Sequence, residues 1–133
     1  MSDILAGGAT VLVVEDNPLN SELVADLLEA DGFRVHRAET AEDGIKMARE
    51  LLPELILMDI TLPGMDGISA TRVLREDPAT HHLMVVGLTA HVANGHESLA
   101  MDAGFNGYLT KPIDTHTFVE SVKSFLAARE QKH

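Results

Sequence analysis

The chain has 133 residues, the size of one domain, with 45% hydrophobic and 23% charged residues, an ordinary globular balance. It has no cysteine, which excludes disulfides, thiol catalysis and thiolate metal sites. Ten lysines and arginines against 21 aspartates and glutamates give a formal net charge of -11, which argues against a nucleic-acid-binding surface and suits hard cations.

Residues 1–9 (MSDILAGGA) read as a mobile tail. Thr10–Val14 is a β-branched apolar run, the pattern of a buried parallel strand. Asn17 can cap a helix with Pro18 at its first position, and Leu19, Leu23, Leu27 and Leu28 are expected on its inner face. Asp31-Gly32 stops it, and Phe33–Ala38 reads as a second strand. Thr40, with Asp43 three residues on, opens the next helix, whose inner face is expected to hold Ile45, Ala48, Leu51 and Leu52 before Pro53 ends it. Leu55–Met58 is the most apolar strand and runs directly into Asp59. Asp66–Arg75 follows as a shorter helix, with Asp66 read as its cap. Leu83–Leu88 is a fourth strand leading into Thr89-Ala90. A weaker helix is expected over Ser98–Ala103 and a short fifth strand over Gly107–Leu109. Asp114 is expected to cap the last helix, Ile113 and Phe118 to staple it, and Val119, Val122, Phe125 and Leu126 to face the core. Residues 129–133 read as a second tail, which leaves 10–128 as the domain, with nothing that looks like an output domain.

Strands alternating with helices through short connections predict right-handed crossovers and a parallel sheet covered on both faces. Five such units favour a single-domain α/β, flavodoxin-like, doubly wound fold: a five-stranded parallel sheet in the order 2-1-3-4-5 with five helices. In such sheets ligands bind beyond the carboxyl ends of the strands. There the sequence places Glu15-Asp16 after the first strand, Asp59 after the third, Thr89 after the fourth and Lys111-Pro112 after the fifth.

Carboxylates crowded on one rim repel each other and call for a cation. A hard ion such as Mg²⁺ takes oxygen ligands and keeps waters for other partners, so a phosphate can share its coordination. Lys111 and the Thr89 hydroxyl could hold phosphate oxygens, and Asp59 could attack phosphorus to form an acyl phosphate.

These residues also carry a family resemblance. VVEDN, LILMDITLPGMDG, GLTA and YLTKP stand in the order and spacing of the receiver domains of two-component response regulators, over roughly Thr10 to Leu126. The resemblance implies that Asp59 is the phosphoacceptor. It implies Mg²⁺, with Mn²⁺ as a possible substitute, held by Asp16, Asp59 and the Thr61 carbonyl, with Glu15 acting through water. Thr89 resembles the switch hydroxyl, and the small Ala90 leaves room for the phosphoryl group. Lys111 resembles the family's lysine, followed by a cis peptide to Pro112, and Tyr108 resembles the aromatic switch position. The implied donor is a histidine kinase or a histidine phosphotransfer protein, docking near Asn17, Pro18, Leu19, Asn20 and Ile113, with Pro63, Met65 and Pro112 on nearby loops. The implied readout is contact with a downstream protein, and catalysis is limited to the domain's own phosphorylation and slow dephosphorylation. Thr61 and His91, each two residues past a site residue, tune phosphoryl lifetime in receivers.

Other readings fit less well. An aspartyl-phosphate phosphatase needs a second carboxylate two residues after the nucleophile, where Thr61 stands. A nucleotide-binding flavodoxin-like protein needs a glycine- or hydroxyl-rich loop where EDNP follows the first strand. A partner-binding pseudo-receiver would not need the full set of Asp16, Asp59, Thr89 and Lys111. His81-His82, His91 and His96 lack the spacing of a transition-metal site. No apolar run is long enough to cross a bilayer and Met1–Thr10 lacks the build of a signal peptide, so a cytoplasmic protein is expected, either a complete small regulator or a receiver module of a hybrid kinase.

Overall fold

The computed structural model describes residues 8–90 and 103–130. Its elements are β1 (Thr10–Val14), α1 (Pro18–Ala30), β2 (Arg34–Ala38), α2 (Ala41–Leu51), β3 (Leu55–Asp59), α3 (Gly67–Glu76), β4 (Val85–Thr89), β5 (Gly107–Thr110) and α4 (Phe118–Glu130). The strands form one parallel sheet in the order β2-β1-β3-β4-β5, as the sequence predicts. Four helices stand among the described residues. The helix expected over Ser98–Ala103 lies outside them except for Ala103, as do His91, His96 and most of both expected tails.

The period of two along each strand divides the core. Leu12, Val14, Ile56, Met58 and Val85 pack with Ala41, Ile45 and Ala48 of α2 and Ala70 and Leu74 of α3. Val11, Val13, Leu55, Leu57, Val86 and Leu88 face the other way, onto Val24 and Leu28 of α1 and Phe118 and Val122 of α4. Every residue of β3 and β4 is buried, which is why these strands read as continuous apolar runs.

Local chemistry sets the helix starts. Asn17 Oδ1 accepts from the backbone N–H groups of Leu19 and Asn20, with Pro18 at the first helical position. Thr40 Oγ1 accepts from Asp43 N, and Asp66 Oδ1 accepts from Ser69 N. Four expectations shift. Leu19 is 76% exposed, because the buried stripe of α1 is Ser21, Val24, Ala25 and Leu28, and the leucine series drifts off that face. Leu52 is 50% exposed, because it sits in the left-handed cap after α2 at φ 46 and its side chain leaves the helical stripe. The last helix begins at Phe118 rather than after Asp114, whose Oδ1 and carbonyl are taken by a preceding turn through His116 N, Thr117 N and Phe118 N. At the end of the expected first tail, Gly8 N donates to the Gly32 carbonyl and Ala9 is buried, while α4 runs on through Arg129 and Glu130.

Candidate metal and phosphoryl site

The register puts the site residues level with one another. Val14 pairs with Met58, so Glu15 lies beside Asp59 at the ends of β1 and β3. Both follow residues of the α2–α3 face and so turn to the opposite one. Thr89 ends β4 opposite Thr110, and the Lys111 N–H donates to the Thr89 carbonyl at 2.8 Å. This brings the Lys111 side chain across the rim. Its Nζ lies 2.9 Å from Asp59 Oδ2 and 3.0 Å from Glu15 Oε1.

Glu15 is 1% exposed and Asp59 2%, while the neighbouring Asp16 is exposed, as alternate side chains should be at a strand end. A ligand oxygen from each of Glu15, Asp16 and Asp59 lies within 4.8 Å of the others. Backbone amides complete the ring: Thr61 N donates to Asp59 Oδ1 at 3.0 Å, and Asn17 N to Glu15 Oε2 at 3.1 Å. Glu15 Oε1 is wholly buried, and no donor among the described residues makes an aligned hydrogen bond to it, so the Lys111 ammonium is an ionic neighbour only. With all groups ionised, three carboxylates and one lysine leave a local charge of -2. A buried oxygen without a donor and an excess of two negative charges fit a hard divalent cation.

The remaining expected residues lie close by in the chain. Thr89 is buried, Ala90 after it is exposed, and Thr61 is exposed. Tyr108 is half-buried in β5 opposite Gly87, and the Lys111–Pro112 peptide is cis. Asn17 and Pro18 are exposed, Asn20 is half-buried, and Ile113 is half-buried against the α1–α4 core. Sequence reasoning did not see that Lys111 is shared between Glu15 and Asp59, nor that Leu19, four residues after Glu15 in the chain, is exposed.

Burial pushes the Glu15 carboxyl up, Lys111 and the Asn17 amide pull it down, and Asp59 pushes it up again, for a net rise above 4.5. A carboxyl with a raised value in the folded state favours folding most below its unfolded pKa, and that contribution is lost as pH rises through the folded value. Metal-free native protein is therefore expected to resist denaturant better as pH falls from neutral toward the ordinary carboxylate range. Glu15→Gln should lack this gain and match or exceed the native stability at neutral pH. Urea unfolding at several pH values checks it, and parallel pH profiles for the two proteins would contradict it.

The profile of the response regulator receiver domain family matches residues 11–123. The chain is 39% identical over 117 residues to the polar-differentiation response regulator DivK of Brucella ovis, covering 88% of this chain and 95% of that one. Among solved structures it resembles a putative response regulator from Chloroflexus aurantiacus, with TM-score 0.85 and 32% identity over 90% of this chain and 98% of that one. It also resembles the receiver domain of a sensor histidine kinase from Pseudomonas aeruginosa, described with a magnesium ion coordinated in its active-site cleft, with TM-score 0.84 and 30% identity over 91% and 99% of the two chains.

Proposed function

The chain belongs to the response regulator receiver domain family of phosphorylation-dependent signalling switches, and from that membership we propose that Asp59 is the residue that takes the phosphoryl group. The observation that carries this reading is the buried pair Glu15–Asp59, closed by one lysine at 2.9 and 3.0 Å, on the rim where such folds bind ligands.

In the proposed reaction a carboxylate oxygen of Asp59 forms a bond to phosphorus as the P–N bond of a donor phosphohistidine breaks. The donor imidazole leaves with the bonding electrons and takes a proton from solvent. Asp59 is held for this by Thr61 N on Oδ1 and Lys111 on Oδ2. Lys111 then turns its ammonium to the phosphoryl oxygens, where charge gathers in the transition state. Asp16 and Asp59, the Thr61 carbonyl, and Glu15 through water would hold Mg²⁺ or Mn²⁺. When bound, the ion supplies positive charge to the phosphoryl oxygens.

Asp59 ends as a mixed anhydride whose phosphoryl group carries close to two negative charges and several strong acceptors. In this reading the hydroxyl of Thr89, the last residue of β4, donates to it, and the small Ala90 leaves room beside it. Movement of Thr89 frees space for Tyr108 to turn inward and changes the surface near β5 for a downstream protein. The donor, a histidine kinase or a histidine phosphotransfer protein, docks on the start of α1, where Asn17, Pro18 and Leu19 are exposed beside Asn20 and Ile113. The protein works in the cytoplasm as a switch and not as a turnover enzyme. No helix of the described residues is long and apolar enough to cross a membrane.

Tyr108 is the single tyrosine and there is no tryptophan, so the native chain carries its own reporter. Beryllofluoride with Mg²⁺ should change Tyr108 fluorescence in a saturable way that needs both components. At a hundredfold excess over its Kd, Mg²⁺ alone should stabilise the fold by about 2.7 kcal/mol. A flat titration in both measurements would contradict the proposed site.

A further inference from the structure

Arg75 makes a set of contacts at the opposite end of the sheet from the candidate site. It lies in the last turn of α3. Its Nη1 donates to the carbonyls of His81 at 2.8 Å and Leu83 at 2.6 Å, on the segment leading into β4. Its Nε donates to the Gly104 carbonyl at 2.8 Å and its Nη2 to Asn106 Oδ1 at 2.9 Å, on the segment leading into β5. The same Asn106 Oδ1 accepts from Val85 N at 2.8 Å, and Asn106 N donates to the Val85 carbonyl at 2.7 Å. Gly104 fits the arginine stem: its φ is +108, and a Cβ there would lie 2.8 Å from Arg75 Cγ. All four acceptors are neutral oxygens, so the rigid donor fork gives geometry rather than charge neutralisation.

We propose that Arg75 is a positioning residue for phosphoryl acceptance: it sets the register of β5 on β4 and thereby the place of Lys111 beside Asp59. This rests on the reading of Asp59 and Lys111 given above. β5 has four residues, none of them fully buried, and among the described residues it pairs on one side only, so its own packing specifies register weakly. At its far end it is held by Lys111 N on the Thr89 carbonyl, and at its near end by the Arg75–Asn106–Val85 set. The clamp is itself fixed relative to Asp59. Helix α3 begins with Gly67 N on the Ile60 carbonyl at 3.0 Å, so close that a Cβ on Gly67 would stand 2.1 Å from the Asp59 carbonyl oxygen. The chain of contacts therefore closes on itself. Asp59 fixes α3, α3 carries Arg75, Arg75 fixes the start of β5, and β5 delivers Lys111 back to Asp59.

The test uses Arg75→Met, Asn106→Leu and the conservative Asn106→Asp, each at a temperature where circular dichroism shows it folded. Two quantities are measured: amide hydrogen exchange at Lys111, compared with Val11–Val14 in the sheet centre, and the rate of phosphorylation by acetyl phosphate with Mg²⁺. In Arg75→Met and Asn106→Leu, exchange at Lys111 should rise about tenfold beyond any rise in β1. Phosphorylation should slow by about tenfold, since a misplaced charge loses its grip on the transition state. Asn106→Asp keeps both acceptor bonds and should stay near native in both. Exchange rising equally throughout the sheet, with an unchanged rate per folded molecule, would show a purely stabilising role and overturn the proposal. Should Arg75→Met fail to fold, Asn106→Leu decides it. If the native chain takes up no phosphoryl group, the reading of Asp59 fails, while the exchange result still decides whether Arg75 places Lys111.

Discussion

Asp59→Asn is expected to abolish phosphoryl uptake from acetyl phosphate, a loss on the order of 10³-fold or more, while the protein stays folded. The amide is nearly isosteric. Its oxygen can still accept from Thr61 N, as Asp59 Oδ1 does at 3.0 Å, so local geometry survives. What it lacks is the negatively charged oxygen that attacks phosphorus. It also removes one carboxylate from a crowded set, so Mg²⁺ should bind more weakly and the thermal shift on adding Mg²⁺ should shrink. Anion-exchange separation of the phosphorylated form and a melting curve check both. Uptake at a native rate in Asp59→Asn would move the phosphoacceptor elsewhere.

Lys111→Met should have the second largest effect, and on stability as well as on rate. Lys111 is the one cation among the described residues that bridges Glu15 and Asp59, and its removal leaves two buried carboxylates without a counter-charge. Breaking a buried pair in this way costs about 3 kcal/mol, and added Mg²⁺ should restore much of it. Phosphorylation should slow on the order of 10²-fold, the usual effect of removing a donor from a transition-state oxygen. Burial pulls the Lys111 pKa down, but its hydrogen bond to Asp59 and the negative charge of Glu15 outweigh that, and the net shift is upward. A raised lysine contributes stability fully below its unfolded value and loses it as pH rises through the folded one. The deficit of the variant should therefore be largest near neutral pH. It should shrink in alkali, as native Lys111 loses its proton, and toward acid, as Glu15, whose carboxyl is raised, gains one. Urea unfolding across pH, with and without Mg²⁺, measures it. A constant deficit at all pH values would indicate lost packing instead.

The sheet was legible in the sequence because parallel strands buried on both faces leave apolar runs, and Leu55–Asp59 is wholly buried. The alternation of strand and helix made the sheet parallel, and five such units favoured the flavodoxin-like order. Helix phase was harder. In α1 a serine, Ser21, lies on the buried face and accepts from Arg37 Nε at 2.8 Å, while Leu19 points outward, so counting leucines rotates the stripe. At the site, residue types and their strand-end positions could be read, because a strand end fixes where a side chain emerges. The division of labour between neighbours could not. Glu15 is buried and Asp16 exposed because one residue of strand reverses direction, and the register that decides this comes from pairing with β3. The Arg75 clamp left no signal at all. Its acceptors are mostly backbone carbonyls, two of them joined across 29 and 8 residues of chain, and any residue can supply a carbonyl.

The most direct test of the central claim is chemical trapping of the phosphorylated side chain. Native protein incubated with Mg²⁺ and acetyl phosphate is treated with borohydride, which reduces an acyl phosphate to an alcohol, and the digested peptides are sequenced by mass spectrometry. The account predicts homoserine at position 59 and at no other acidic residue, and only when Mg²⁺ was present. Homoserine at position 16 instead, or the one-carbon-longer 5-hydroxynorvaline at Glu15, or an unmodified Asp59 in protein that has taken up phosphate, would contradict it.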